Sequence, residues 1–228
     1  REQDWIAVVD AGWTGLEVPE HLGGAGATFG ETAVILDQIG RAAGANSYLG
    51  SAVLAVGVLN SLPPSDIRDE LLAVVAAGPG RLAVAIGDFT IDGGVLSGHA
   101  EFMPDAAGAD RLLVPVGDDV AVVSSAHVTV TPQPVVDETR RLAAVTADAA
   151  PTDALLRAPT GAVLDRAAVA LACDSLGLAQ RMLSATVDYV KVRHQFSRPI
   201  GSFQAVQHAC ADMLVRIEVS RQLVADAV

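Results

Sequence analysis

From Leu164 onward, apolar or small residues recur every three or four positions: Leu164, Ala168, Leu171, Ser175, Leu178, Met182, Ala185 and Tyr189. That spacing is one stripe of a single helix of about thirty residues, roughly 45 Å long at 1.5 Å per residue. A helix of that length must cover its stripe with other helices, in a bundle or an oligomer. A loop over 193–201 separates it from a last helix starting after Ser202, with Val206, Cys210, Met213, Ile217 and Val224 on its apolar side. The sequence stops in mid-helix at Val228, so this last domain is expected to be incomplete.

Upstream the period changes. Residues 82–86, 95–98, 111–116, 120–123 and 128–130 are short β-prone runs, with turn chemistry at Asp92-Gly93-Gly94 and Gly117-Asp118-Asp119. Four to six strands over about 80 residues, with no helix long enough for a crossover, predict an antiparallel sheet or small barrel. Before Pro79 the helical period holds over 5–11, from Thr28 to about Ala43, over 48–60 and from Ser65 or Asp66 to Ala77. Thr28 with Glu31 three residues on reads as a capping box. The expected fold is α+β and multi-domain. A helical domain fills 1–79, a small antiparallel β-barrel-like domain 80–158, and a C-terminal helical bundle, incomplete in this chain, 159–228.

Composition narrows the partners. Fifteen Lys+Arg against 27 Asp+Glu give a net charge of −12, which argues against a nucleic-acid or anionic-membrane surface. Only 18% of residues are charged and 51% are hydrophobic, as in chains that hide surface in an oligomer. Cys173 and Cys210 read as small buried hydrophobes rather than a disulfide framework. No apolar run is long enough to span a membrane, and no leader is apparent, so a cytoplasmic location is expected. The glycines of Gly24-Ala25-Gly26-Ala27-Thr28-Phe29-Gly30 miss the dinucleotide spacing, and the five histidines lack zinc-helix spacing, so no metal site is expected. No carboxylate pair stands out as an acid–base couple.

One segment does stand out. Arg193-x-Gln195-Phe196 is followed by Arg198-Pro199-Ile200 and then Phe203-Gln204-Ala205-Val206-Gln207-His208 at a corner between the two last helices. Arg offers a bidentate fork to phosphate, Phe a flat face, and Gln amides can read ring nitrogens. The start of the last helix adds free N–H groups for an anion. An ordinary interhelical corner is the competing reading of the same residues.

The run from Arg193 to His208, followed by Ala211-Asp212-Met213, resembles the signature of the acyl-CoA dehydrogenase family, with Ser197 where glycine is usual. Two further stretches are similar to the same family: Leu176-Gly177-Leu178-Ala179-Gln180-Arg181, and the opening Gly12-Trp13-x-Gly15-Leu16-x-Val18-Pro19-Glu20-x-x-Gly23-Gly24-Ala25-Gly26 with Ile39-Gly40-Arg41. The resemblance implies helical, β-barrel-like and helical domains in that order. It also implies FAD-dependent oxidation of the Cα–Cβ bond of an acyl-CoA thioester. Carried over by position, Arg193, Gln195 and Phe196 match the loop that holds the pyrophosphate and adenosine half of an FAD lying mostly in the neighbouring subunit. Ile200, Phe203 and Gln204 match its continuation.

The departures shape the expectation. The Thr-Glu-Pro and Trp-Ile-Thr segments that hold the flavin ring in the family have no counterpart in 84–103. Ala167 and Ala168 stand where some members keep a catalytic base and a CoA-binding arginine, and the family's common catalytic Glu falls beyond position 228, so no catalytic residue is expected up to Val228. The resemblance thus implies a subunit that lends the Arg193 loop to a homologous acyl-CoA dehydrogenase subunit, as in actinobacterial α2β2 heterotetramers of lipid and steroid degradation. Bulky or steroid-derived acyl-CoA substrates gain some weight from it. A self-sufficient homo-oligomer and a flavin-free assembly subunit are the alternatives.

Overall fold

The structure, a computed structural model, describes residues 2–137, 139–157 and 162–228, without the side chains of 2–4, 162 and 163. The expected boundary at 158/159 and the helix start after Thr160 lie outside the described residues. The chain forms two compact units, residues 1–32 with 45–167, and residues 33–44 with 168–228.

The first unit begins with α1 (Glu2–Asp10) and takes in the start of α2 (Phe29–Ala42). The capping box forms: the Glu31 carboxylate accepts the Thr28 N–H at 2.9 Å and its hydroxyl at 2.7 Å. Because the Thr28 hydroxyl binds it, the Glu31 carboxyl titrates below its usual value. The expected single helix over 48–60 is instead a π-helical run, Tyr48–Ala55, continued by α3 (Val56–Ser61). Outside groups engage its backbone: the buried Asp105 carboxylate accepts the Gly50 N–H, and the Arg166 Nε–H donates to the Val53 carbonyl. Arg166 also pairs with Glu17 at 2.6 Å and stacks over Phe29, tying the opening loop to the region of the long helix's start. α4 (Asp66–Ala77) starts at Ser65, which caps the Arg68 N–H, and ends at Gly78 in the left-handed region.

The β region holds eight strands: β1 (Leu82–Val84), β2 (Asp88–Asp92), β3 (Val95–Pro104), β4 (Arg111–Val116), β5 (Asp119–Ser124), β6 (Thr129–Pro132), β7 (Leu142–Pro151) and β8 (Ala154–Arg157). They form two open sheets, ordered β1-β4-β5-β8 and β2-β3-β7-β6. All pairings are antiparallel except β1 with β4, which is parallel. This corrects the barrel-like expectation: the end strands of each sheet do not pair, so nothing closes. Apart from β8, a partly exposed edge, the first sheet is buried on both faces, with Val84, Leu113 and Val122 packed with helical residues Leu59 and Leu72. Its other face, through Leu112, Val114 and Val123, meets Leu96, Val145 and Ala147 of the second sheet. A layer covered on both sides is an interior slab, not a barrel wall, and its strands read as continuous apolar runs. Strands β2, β7 and β8 were not expected. β7 is alanine-rich, poor in β propensity, and is held by burial of Ala143, Val145, Ala147 and Ala150.

The second unit is α5 (Ala162–Val192) from Ala168 onward, α6 (Gln204–Ala227) and the latter part of α2. A Cβ on Gly40 would fall onto the Asp174 carbonyl oxygen, and one on Gly177 onto the Asp37 carbonyl oxygen. The two glycines thus make reciprocal notches where α2 crosses α5. The stripe read from sequence does not face inward. Leu171, Met182 and Tyr189 are exposed, and Ala170, Cys173, Leu176, Gly177 and Leu183 form the buried face.

Candidate functional site

α5 and α6 are joined by a two-stranded hairpin, β9 (His194–Gln195) and β10 (Arg198–Pro199), and a short turn, Ile200–Ser202. The Ile200 N–H donates to the Arg193 carbonyl at 2.7 Å, closing the hairpin's base. Phe196 (φ 52) and Ser197 (φ 62) form its tip, both in the left-handed region. Two successive residues of that kind make the turn that a two-residue hairpin requires, normally filled by Asn-Gly.

The six residues singled out from sequence all lie on this corner. Phe196 is 87% exposed and meets Phe203 edge-on, ring centroids 6.1 Å apart. Arg198 covers the Phe203 ring, its guanidinium carbon 4.1 Å from the centroid. The Arg193 guanidinium and the side-chain amides of Gln195 and Gln204 have no hydrogen-bond or ion-pair partner among the described residues. Ile200 opens the turn into α6. Phe203 is the N-cap of α6, and no side chain caps it: the Ser202 hydroxyl donates to the Pro199 carbonyl instead. A groove of about 530 Å³, lined by Val187, Lys191, Pro199, Ser202, Val206 and Gln207 among others, runs beside the hairpin. One uncommitted guanidinium, two free amides and two rings at an uncapped helix start fit a phosphate ester joined to a flat heterocycle.

No comparable set occurs at 167 and 168, the positions where some members of the resembled family keep a base and a CoA-binding arginine. Ala167 and Ala168 offer no ionisable group, Asp165 is exposed, and Asp174 is buried where α2 crosses. Sequence reading missed the stacking of Arg198 on Phe203, whose five-residue separation fits no helical or strand period. It also missed Asp105, whose burial pushes its carboxyl up to about 6 despite the Gly50 N–H and nearby Arg141. Among the described residues no three His, Cys, Asp or Glu side chains gather as a metal site, and no helix is long and apolar enough to cross a membrane.

A helical region, a two-sheet β region and two long helices joined by an exposed hairpin follow one another along the chain, and that order defines the class of fold. Comparison makes this specific. The profile "Acyl-CoA dehydrogenase, N-terminal domain" matches residues 1–79, and "Acyl-CoA dehydrogenase, C-terminal domain" matches 157–228. Acyl-CoA dehydrogenase IpdE2 of Mycobacterium tuberculosis is 34% identical over 223 residues, covering 95% of this chain and 61% of the relative. Acyl-CoA dehydrogenase FadE28 of the same organism is 30% identical over 94% of this chain and 67% of its own length. Among solved structures, a variant of the Tcur3481–Tcur3483 steroid ACAD superposes with TM-score 0.87 at 31% identity, over 98% of this chain and 66% of that one. The ChsE4–ChsE5 complex from Mycobacterium tuberculosis gives 0.85 at 26%, over 98% and 67%. The chain belongs to the acyl-CoA dehydrogenase family. It spans about three-fifths of the length of IpdE2 from either of two mycobacteria.

Proposed function

We propose that this chain is one subunit of a heteromeric, FAD-dependent acyl-CoA dehydrogenase, lending its Arg193 corner to an FAD shared with a homologous subunit. The observation that carries this is the uncommitted Arg193 guanidinium, exposed beside unpaired Gln195 and Gln204 while Arg198 is held by Phe203. Arg193 would grip the pyrophosphate, Phe196 and Phe203 would flank the adenosine half, Gln195 and Gln204 would supply amides, and Ile200 would shape the turn. When bound, FAD supplies the two-electron acceptor for Cα–Cβ oxidation of an acyl-CoA thioester. The missing ring-holding segments, with the alanines at 167 and 168, support a partner that supplies much of the flavin-ring pocket, while the position of the family's common base falls beyond residue 228. The ChsE4–ChsE5 complex and the steroid ACAD support an α2β2 assembly and a bulky, steroid-derived thioester. The three-domain division at 79/80 and 158/159 and a cytoplasmic location belong to the same reading.

The test is co-expression with a homologous subunit, followed by the visible spectrum and the FAD:chain ratio. One FAD per two chains in the complex, with little in the isolated chain, is expected. Saturated FAD at one per chain in the isolated protein would overturn the reading in favour of a self-sufficient homo-oligomer.

A further inference from the structure

We infer that residues 48–55 are a register switch: Asp105 and Arg166, entering over Gly50 and Gly57, hold the run π-helical, and withdrawal of either lets it tighten into an α-helix continuous with α3. The two glycines open the way. A Cβ on Gly50 would press on the Asp105 Cβ and the Pro104 carbonyl, and one on Gly57 would fall on the Arg166 side chain. Through these gaps two charged side chains reach the main chain. The buried Asp105 carboxylate accepts the Gly50 N–H at 2.9 Å, and the Arg166 Nε–H donates to the Val53 carbonyl at 2.9 Å. Each is braced from behind. Arg141 donates to the Ser47 hydroxyl at 3.0 Å with its Nε 3.9 Å from the Asp105 carboxylate, and Arg166 also pairs with Glu17. Ser47 precedes the run without capping it by its own side chain, so Asp105 supplies the cap from the turn after β3. All of these residues lie within the first unit.

The run stands close to a second register. An α-helix pairs each N–H with the carbonyl four residues back. The Ser51 N–H already does so, donating to the Ser47 carbonyl at 3.2 Å. At the far end the Val56 N–H is split between the Ser51 carbonyl, five back, and the Val53 carbonyl, three back. Tyr48 is 1% exposed and its hydroxyl has no hydrogen-bond partner among the described residues, the Thr32 hydroxyl lying near it but out of line. A buried hydroxyl left unpaired disfavours the state that holds it. A π-helical stretch is also rare in itself. The two outside contacts therefore tip the balance between two packings of one segment. Once released, the Val53 carbonyl is free to accept the Gly57 N–H, and the Val56 N–H moves to the Ala52 carbonyl. Tyr48 then turns about the helix axis relative to α3, and the non-helical residues 45–47 take up the change.

NMR couplings across hydrogen bonds test this in the full chain, because they identify the carbonyl to which each amide donates. In the wild type the Val56 amide should couple to the Ser51 carbonyl. In Asp105→Ala, which removes the cap, and in Gly57→Ala, which bars Arg166 without changing a charge, the coupling should shift to the Ala52 carbonyl. Asp105→Asn keeps an acceptor for the Gly50 N–H and should keep the wild-type pattern. A Val56 amide that stays on Ser51 in either alanine variant would overturn the proposal, the run's own packing then setting its register. A wild type already coupled to Ala52, or a shift in Asp105→Asn as complete as in Asp105→Ala, would overturn it too. Arg166→Met, which keeps the stem and drops the donor, replaces either alanine variant that fails to fold, with the same shift expected. The readout involves no cofactor, so it stands apart from the FAD reading.

Discussion

The guanidinium of Arg198 lies 4.1 Å from the centre of the Phe203 ring, whereas Arg193, five residues earlier on the same corner, has no side-chain partner among the described residues. Two arginines of equal charge therefore have different tasks, one holding the loop and one open to a ligand. Arg193→Ala should weaken FAD binding in the assembled protein by roughly 2–4 kcal/mol, on the order of 30- to 1000-fold, with Arg193→Lys recovering part. Arg198→Ala removes a surface cation–π contact of about 0.5–1 kcal/mol and should cost at most about fivefold. FAD release followed by flavin fluorescence separates them. Equal, small effects would make this an ordinary interhelical corner.

The hairpin tip is strained by its side chains. Ser197 sits at φ 62, where a Cβ costs roughly 1–2 kcal/mol and glycine costs nothing. Ser197→Gly should therefore slow amide exchange of hairpin residues by about fivefold or more, and Ser197→Val should speed it. Hydrogen exchange read by NMR or mass spectrometry checks both directions.

Gly40 and Gly177 admit no side chain. The atom each Cβ would strike is a backbone carbonyl oxygen in the facing helix, which cannot rotate away. Either glycine changed to alanine should destabilise the second unit by about 2–3 kcal/mol, although alanine favours helix by about 1 kcal/mol at a free site. Urea unfolding monitored by circular dichroism gives the measurement. An unchanged midpoint in both variants would show that α2 does not cross α5 at these notches.

Asp105 makes stability depend on pH in an unusual direction for a carboxylate. Burial raises its folded value to about 6, above the 3.8 of the unfolded chain. The folded state therefore holds the proton more tightly. The resulting stabilisation is complete below pH 3.8 and is lost as pH rises through about 6, on the order of 3 kcal/mol. Asp105→Asn keeps an acceptor for the Gly50 N–H and removes the titration. Unfolding free energies of the two proteins, measured from pH 4 to 7, should diverge in favour of the variant as pH rises. Parallel curves would refute the assignment.

How much was legible in the sequence differs between elements for physical reasons. The ends of α4, the capping box at Thr28 and the corner at 193–204 are local: they depend on propensity, capping and a run of residues within one turn or loop, and those signals survive without knowledge of neighbours. β7 was invisible because alanine has no strand preference of its own. Only its pairing with β3 and β6, and a buried face against the other sheet, make it a strand. The π-helical run at 48–55 likewise depends on Asp105 and Arg166, far away in sequence.

By itself, the sequence determined that α5 is a long helix with an unbroken heptad of apolar and small residues, since helical period is a property of the chain. It could not say which of the two apolar faces of α5 turns inward. Tertiary structure decided that, because α2 approaches α5 only where Gly40 and Gly177 leave room for backbone to meet backbone. Those notches, with the packing of Leu176 and Leu183 against Ile217 of α6, commit the Cys173–Leu176–Leu183 side to the interior and leave Met182 and Tyr189 facing out. In the same way, composition placed two arginines in one loop, and only folding brought Phe203 under Arg198 and left Arg193 free.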